Sequence, residues 1–182
     1  MTAARIGPGE PLRPGDGDAV AAQLGRPVRA VRAVAHRCSC GDPDVLVTEP
    51  RLPDGTPFPT LYYLTCPRAT SAVGTLEAEG VMRQMATRLT DEPTLAAAYR
   101  AAHDSYLAQR EELGHVAHIA GISAGGMPDR VKCLHVLVAH SLAVGTGVNP
   151  LGDETLEILA ARGVVPGAAW GGAPGGCVRV AQ

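Results

Sequence analysis

The chain has 182 residues, of which 46% are hydrophobic, so it can bury one sizeable core and is expected to form a single domain. Its 16 basic side chains are balanced by 18 acidic ones, which leaves no net positive charge to hold nucleic acid. No stretch reaches the roughly 18 to 20 consecutive apolar residues of a membrane-spanning helix. Residues 1–17 lack the apolar segment of a signal peptide, so we expect a cytoplasmic protein that does not enter a membrane.

The two ends of the chain differ from the middle in composition. Residues 1–15 are rich in Pro and Gly and are expected to form a flexible leader. Residues 163–182 are rich in Gly and are expected to form a disordered tail. The sequence between them, residues 16–162, is expected to fold as a single α+β domain.

Three segments have the composition of β-strands and are separated by turn residues. They are residues 28–38, 45–48 and 60–65, and the short connections favour a three-stranded antiparallel sheet. If the first strand stays regular, its alternation places Val34, His36, Cys38 and Cys40 on one face.

Helical periodicity and capping signals predict four to five helices that flank this sheet. The first is a short helix over residues 19–24, and the second spans residues 69–89 with an interruption near Gly74 or Gly80. A third begins at Pro93, after two acidic residues. An apolar helix is predicted for residues 129–144, and a last one for residues 153–161.

Five cysteines in a cytoplasmic protein are more typical of metal ligands, reactive thiols or buried small side chains than of disulfides. Four of them fall at predicted strand ends or near a predicted helix start. These four, Cys38, Cys40, Cys66 and Cys133, are the candidate ligands of a zinc ion or an iron–sulfur cluster, with His36 or His135 as substitutes. Four cysteines would close a zinc site, whereas three would leave a position open for chemistry. Packing in the core is the competing interpretation for all of them, and it is the one we adopt for Cys177.

Two glycine-rich loops, residues 121–127 and 145–152, precede predicted helices. Backbone N–H groups at a helix N-terminus suit an anion, and Arg130 and Lys132 add positive charge after the first loop. Arg130, Lys132 and Asn149 are therefore the candidate contacts for a small anionic ligand. Ordinary turn and cap glycines are the competing interpretation.

Four strings of the sequence resemble a known family. Residues 35–41, 56–67, 126–135 and 148–154 are similar to those of the DUF501 family of actinobacterial proteins of unknown function, and the resemblance extends over residues 26–162. It implies no activity. Within that range the resemblance points to eleven polar positions: His36, Cys38, Cys40, Cys66, Arg130, Lys132, Cys133, His135, His140, Asn149 and Asp153. Genes of the family often lie near those of enolase, a septum-formation coiled-coil protein and an exopolyphosphatase-like protein.

Two alternatives to a metal site remain open. In the first, Cys133 is the thiolate nucleophile of a metal-free enzyme, with His36 or His140 as its base. In the second, the protein is a small adaptor whose apolar helices bind a partner from cell division or metabolism, which requires an exposed apolar patch.

Overall fold

The sheet of the computed structural model, which describes residues 9–164, is antiparallel and has three strands in the order β1-β2-β3. The strands are β1 (Val31–Arg37), β2 (Pro43–Thr48) and β3 (Tyr62–Leu64), so β1 and β3 are shorter than the segments that predicted them and β2 begins two residues earlier. Within the described residues, six α-helices accompany them: α1 (Asp16–Leu24), α2 (Pro67–Ala78), α3 (Val81–Asp91), α4 (Pro93–Glu111), α5 (Leu134–Val144) and α6 (Pro150–Ala161). The prediction of an α+β fold with a three-stranded antiparallel sheet is confirmed.

The helix count is one above the upper prediction because the segment predicted for residues 69–89 is two helices. Gly80 lies between them with φ of 87°, a left-handed conformation that ends α2 and is inexpensive only for glycine. The interruption is therefore at Gly80, and Gly74 continues α2 without a break.

The last two helices do not begin where the sequence predicted. α5 begins at Leu134 rather than at residue 129, because the preceding residues form a turn in which the N–H groups of Arg130 and Lys132 bond to the carbonyls of Gly126 and Gly125. α6 begins at Pro150 rather than at residue 153, since the side chain of Asn149 accepts the N–H of Gly152 and caps the helix.

The regular alternation predicted for β1 is wrong. Irregularities in its pairing with β2 occur on both sides of His36, and a bulge of this kind changes which face the next side chain reaches. Val34 consequently packs with Leu46 beneath α1, whereas Cys38 is buried in the main core on the other face.

Each face of the sheet packs against different helices. Val45 and Val47 of β2 point into the main core, which includes Leu134 and Leu137 of α5. Leu46, between them in sequence, points to the opposite face, where the smaller cluster under α1 lies. All three β2 side chains are completely buried, so both faces are covered at this strand.

The chain ends were predicted to lie outside the domain. Of the predicted leader, residues 9–15 are described, and Glu10 exchanges two backbone hydrogen bonds with Val34, which extends the sheet at its β1 edge. Residues 1–8, and residues 165–182 with Cys177, lie outside the described part of the chain. Among residues 9–164, no helix combines the length and apolar character needed to cross a membrane.

Candidate metal centre

Three potential metal ligands meet where α2 packs against the start of α5. They are Glu77 near the end of α2, Cys133 just before α5, and His135 in the first turn of α5. One donor atom from each lies within 4.8 Å of the other two. Each side chain is partly exposed, so an ion from solvent can reach the group. The sequence identified Cys133 and His135 as candidates, but it gave no sign of Glu77.

The imidazole of His135 is held on both sides. Its Nε2 lies 3.1 Å from the carbonyl oxygen of Thr70, to which it donates. Its Nδ1 faces the other two ligands, at 3.1 Å from Oε1 of Glu77 and 3.9 Å from Sγ of Cys133. Thr70 and Glu77 are two turns apart on α2, so this single helix face supplies both the carbonyl and the carboxylate.

Glu77 also organises the backbone of α5. Its Oε1 accepts the N–H of Leu134 at 2.7 Å, one of the N–H groups that a helix start leaves without an intrahelical partner. Cys133 occupies the N-cap position and its side chain makes no capping hydrogen bond. The carboxylate therefore substitutes for the missing cap, and this fixes it beside the thiol.

The charge balance of the group attracts positive charge. The hydrogen bond to Cys133 raises the pKa of His135 to about 9, with further contributions from Glu77, against the opposing effect of burial. Without a metal, the imidazole is therefore protonated at neutral pH, with the proton on Nδ1 facing Glu77 and Cys133. A cation bound at the same point would take the place of that proton.

The spacing of the donor atoms is close to that of a tetrahedral zinc site. Bond lengths of about 2.3 Å to sulfur and about 2.0–2.1 Å to nitrogen and oxygen place sulfur and nitrogen about 3.6 Å apart, and nitrogen and oxygen about 3.4 Å apart. The corresponding distances here are 3.9 Å and 3.1 Å. Both distances are within a few tenths of an ångström of the zinc values, and the third separation, between Sγ of Cys133 and the carboxylate of Glu77, is at most 4.8 Å.

The other three predicted ligands lie at one end of the sheet. Cys38 follows β1 and Cys66 follows β3, and both are buried in the main core. The pairing of Arg37 with Pro43 and of Val45 with Leu64 places them on either side of the start of β2. Cys40 is partly buried in the adjoining turn, 3.8 Å from Oδ2 of Asp42. The four-cysteine ligand set remains a prediction.

His36 and His140, the candidate bases, have other partners. Nδ1 of His36 lies 2.7 Å from a carboxylate oxygen of Asp44, which is buried and raises the pKa of His36 through this hydrogen bond. His140 is completely buried between Tyr62 and Tyr106, and burial lowers its pKa to about 4. The ring nitrogen within reach of the Cys133 thiol is that of His135.

The three candidate anion contacts have different environments. Arg130 and Lys132 are exposed in the loop before Cys133, so their predicted place in the first turn of a helix is wrong. Asn149 is completely buried as the N-cap of α6, and its amide nitrogen is 3.2 Å from Nδ1 of His140. We therefore assign Asn149 a structural role.

In a comparison with protein-family models, the chain matches a family described as "Protein of unknown function (DUF501)" over residues 34–157. This range contains all three residues of the Glu77, Cys133 and His135 group. Searches of curated proteins and of solved structures find no match.

Proposed function

The chain belongs to the DUF501 family, and we propose that it binds a zinc-type divalent metal ion through Glu77, Cys133 and His135. The observation that carries the proposal is the convergence of the thiol and the carboxylate on one ring nitrogen of His135, while the other nitrogen is bonded to a backbone carbonyl. Ligating histidines are typically held in this way, because the second hydrogen bond fixes both the tautomer and the ring orientation.

The ligand types favour zinc over an iron–sulfur cluster. Clusters are held mainly by several thiolates, whereas zinc accepts a mixed set of sulfur, nitrogen and oxygen ligands. Three protein ligands leave the fourth tetrahedral position for water or a small anion, a pattern typical of catalytic zinc sites. Lys132, exposed and next to Cys133 in sequence, adds positive charge to this segment.

A metal-free reactive thiol is the second candidate, and one observation favours it. Cys133 lies at a helix N-terminus with an imidazole nitrogen 3.9 Å away, a placement shared by many cysteine nucleophiles. In a nucleophile–base–acid triad, however, the acid bonds to the ring nitrogen opposite the nucleophile. Here Glu77 and Cys133 share Nδ1, so the arrangement supports metal binding better than it supports a triad.

The adaptor hypothesis has less support. Among residues 9–164, the exposed large hydrophobic side chains are Leu12 and Ile122, which lie far apart in sequence. Binding of a protein partner remains an untested prediction.

The test is a metal titration of the chelator-treated full chain. Co²⁺ serves as a spectroscopic substitute for zinc, and Zn²⁺ is then added in competition. The wild-type protein should show a thiolate-to-cobalt charge-transfer band that saturates at one ion per chain, and Zn²⁺ should abolish it. Cys133→Ser should remove the band. Glu77→Gln, which keeps an oxygen for the Leu134 N–H, should weaken Co²⁺ binding by about tenfold or more.

Cys66→Ser is the matched control, because Cys66 is also an N-cap cysteine and belongs only to the four-cysteine set. It should bind Co²⁺ as the wild-type protein does. Loss of the band in Cys66→Ser with unchanged affinity in Glu77→Gln would refute the proposed ligand set and favour the four cysteines. No cobalt band in the wild-type protein would refute both sets.

A further inference from the structure

A cavity lies on the face of the sheet opposite α5. This face is covered by α1, which has only nine residues, and by the segment that follows it. Because α1 ends at Leu24 while the sheet continues, a space of about 180 Å³ remains between the strands and the adjoining loops. It shares no lining residue with the Glu77, Cys133 and His135 group.

The floor of the cavity is apolar. Leu46 of β2 forms its completely buried base. Side chains from four separate segments complete the wall: Leu24, Val28, Leu52, Phe58 and Tyr63. An apolar cavity of about 150 Å³ holds a molecule of the size of benzene, so this one accommodates a single ring or a short branched chain.

The rim of the cavity is positively charged. Arg26 and Arg29, both exposed, belong to the segment that follows α1 and line the opening. Arg26 donates to the hydroxyl of Tyr63 at 3.1 Å, which holds its guanidinium over the apolar floor. Within residues 9–164, the arginines that pair with a carboxylate at less than 4.0 Å are all others than Arg26 and Arg29. The carboxylate of Asp54 interacts with Arg29 only at longer range.

The backbone beside the rim is strained. Ala30 has φ of 54°, a left-handed conformation that is costly for a residue with a Cβ atom. Its carbonyl accepts the N–H of Glu49 at 2.7 Å, and this bond anchors the segment carrying Arg29 to the end of β2. Strained residues of this kind cluster at ligand clamps, where the surrounding structure maintains them.

We propose that this cavity binds a small apolar carboxylic acid. The hydrocarbon part, no larger than a single ring or a short branched chain, occupies the space above Leu46. The carboxylate faces Arg26 and Arg29, because guanidinium groups form charge-assisted hydrogen bonds with carboxylates. Enclosure by four chain segments favours a small molecule over an extended peptide.

Benzoate is the probe, and benzyl alcohol is its neutral counterpart of nearly equal size. Both are added to the full-length, chelator-treated protein, so that carboxylate binding to a metal ion does not contribute. Backbone amide shifts in a ¹⁵N-labelled sample report both affinity and location. Benzoate should shift the amides of the cavity lining and should bind about tenfold or more tightly than benzyl alcohol.

Three variants test the contribution of charge at the rim. Arg26→Gln and Arg29→Gln should each weaken benzoate binding by about tenfold, since each removes a charged donor, and should leave benzyl alcohol binding unchanged. Arg83→Gln is the control, because Arg83 is an exposed arginine on α3 that does not line the cavity. Its affinity for benzoate should equal that of the wild-type protein.

Several outcomes would overturn the proposal. Absence of shifts in the cavity lining with both compounds would show that the cavity does not accept a ring. Equal binding of the two compounds, or no loss in either rim variant, would show that the arginines do not select a carboxylate. Shifts confined to residues elsewhere in the chain would place the binding at a different surface.

Discussion

Acidification should destabilise the fold through His140, which is completely buried and held neutral. Burial lowers its pKa from 6.5 to about 4. Tyr62 stacks on the ring and Tyr106 meets it edge-on, with centroid distances of 5.8 Å and 5.2 Å. The amide of Asn149 donates to Nδ1, so Nε2 carries the proton, and among the described residues it has no acceptor. The negative charge of Asp153 raises the pKa of His140, but by less than burial lowers it.

The sign and size of the effect follow from this pKa difference. As the pH falls below 6.5, His140 becomes protonated in the unfolded chain, whereas in the folded chain it stays neutral until about pH 4. Stability is therefore lost across this window, at ~1.4 kcal/mol per pH unit. Between pH 7 and pH 5 the loss should be ~2 kcal/mol, and by pH 4 it should approach ~3 kcal/mol.

The assay is urea unfolding of chelator-treated protein at a series of pH values, with His140→Phe as the comparison. Phenylalanine keeps the ring between the two tyrosines but cannot titrate. His36 and His135, whose pKa values are raised, act in the opposite direction, and they contribute equally to both proteins. The difference between the two stability curves therefore isolates His140. If both proteins lose the same stability between pH 7 and pH 5, the reasoning is refuted.

Two further changes test the packing, each by urea unfolding. Gly152→Ala would place a Cβ atom 2.3 Å from the carbonyl oxygen of Leu137, so α6 must move away from α5, and we expect a loss of ~2–3 kcal/mol. Gly74→Ala, with open space around the new Cβ, should instead stabilise α2 by up to ~1 kcal/mol; equal effects at the two sites would contradict this account. Arg110 is buried and donates to three carbonyls, those of Pro59, Ile119 and Ile122. Arg110→Met should therefore lower the free energy of unfolding by ~2–4 kcal/mol. Arg110→Lys should restore little of this stability if the planar set of donors, rather than the positive charge, stabilises the three carbonyls.

The sequence was sufficient for most of the fold, because the fold depends on local patterns. Segments of strand-forming residues between turns identified all three strands, and Gly80 and Pro93 marked helix boundaries that the structure confirms. The bulges around His36 were not predictable, since an irregular pairing depends on the partner strand. For this reason the faces of Val34 and Cys38 were assigned wrongly.

The sequence identified Cys133 and His135 of the candidate metal centre but not Glu77. The missing ligand is connected with the start of α5, which the sequence placed too early. The apolar helix was predicted to begin at residue 129, directly after Pro128. The actual N-cap is Cys133, whose side chain makes no capping hydrogen bond, and the acceptor comes from Glu77, 57 residues earlier in the chain. A ligand supplied by such a tertiary contact leaves no trace in local spacing. What the sequence does contain is a cysteine where a helix would ordinarily have Ser, Thr, Asp or Asn, and such a residue leaves the first N–H groups of the helix for water or for another side chain to satisfy.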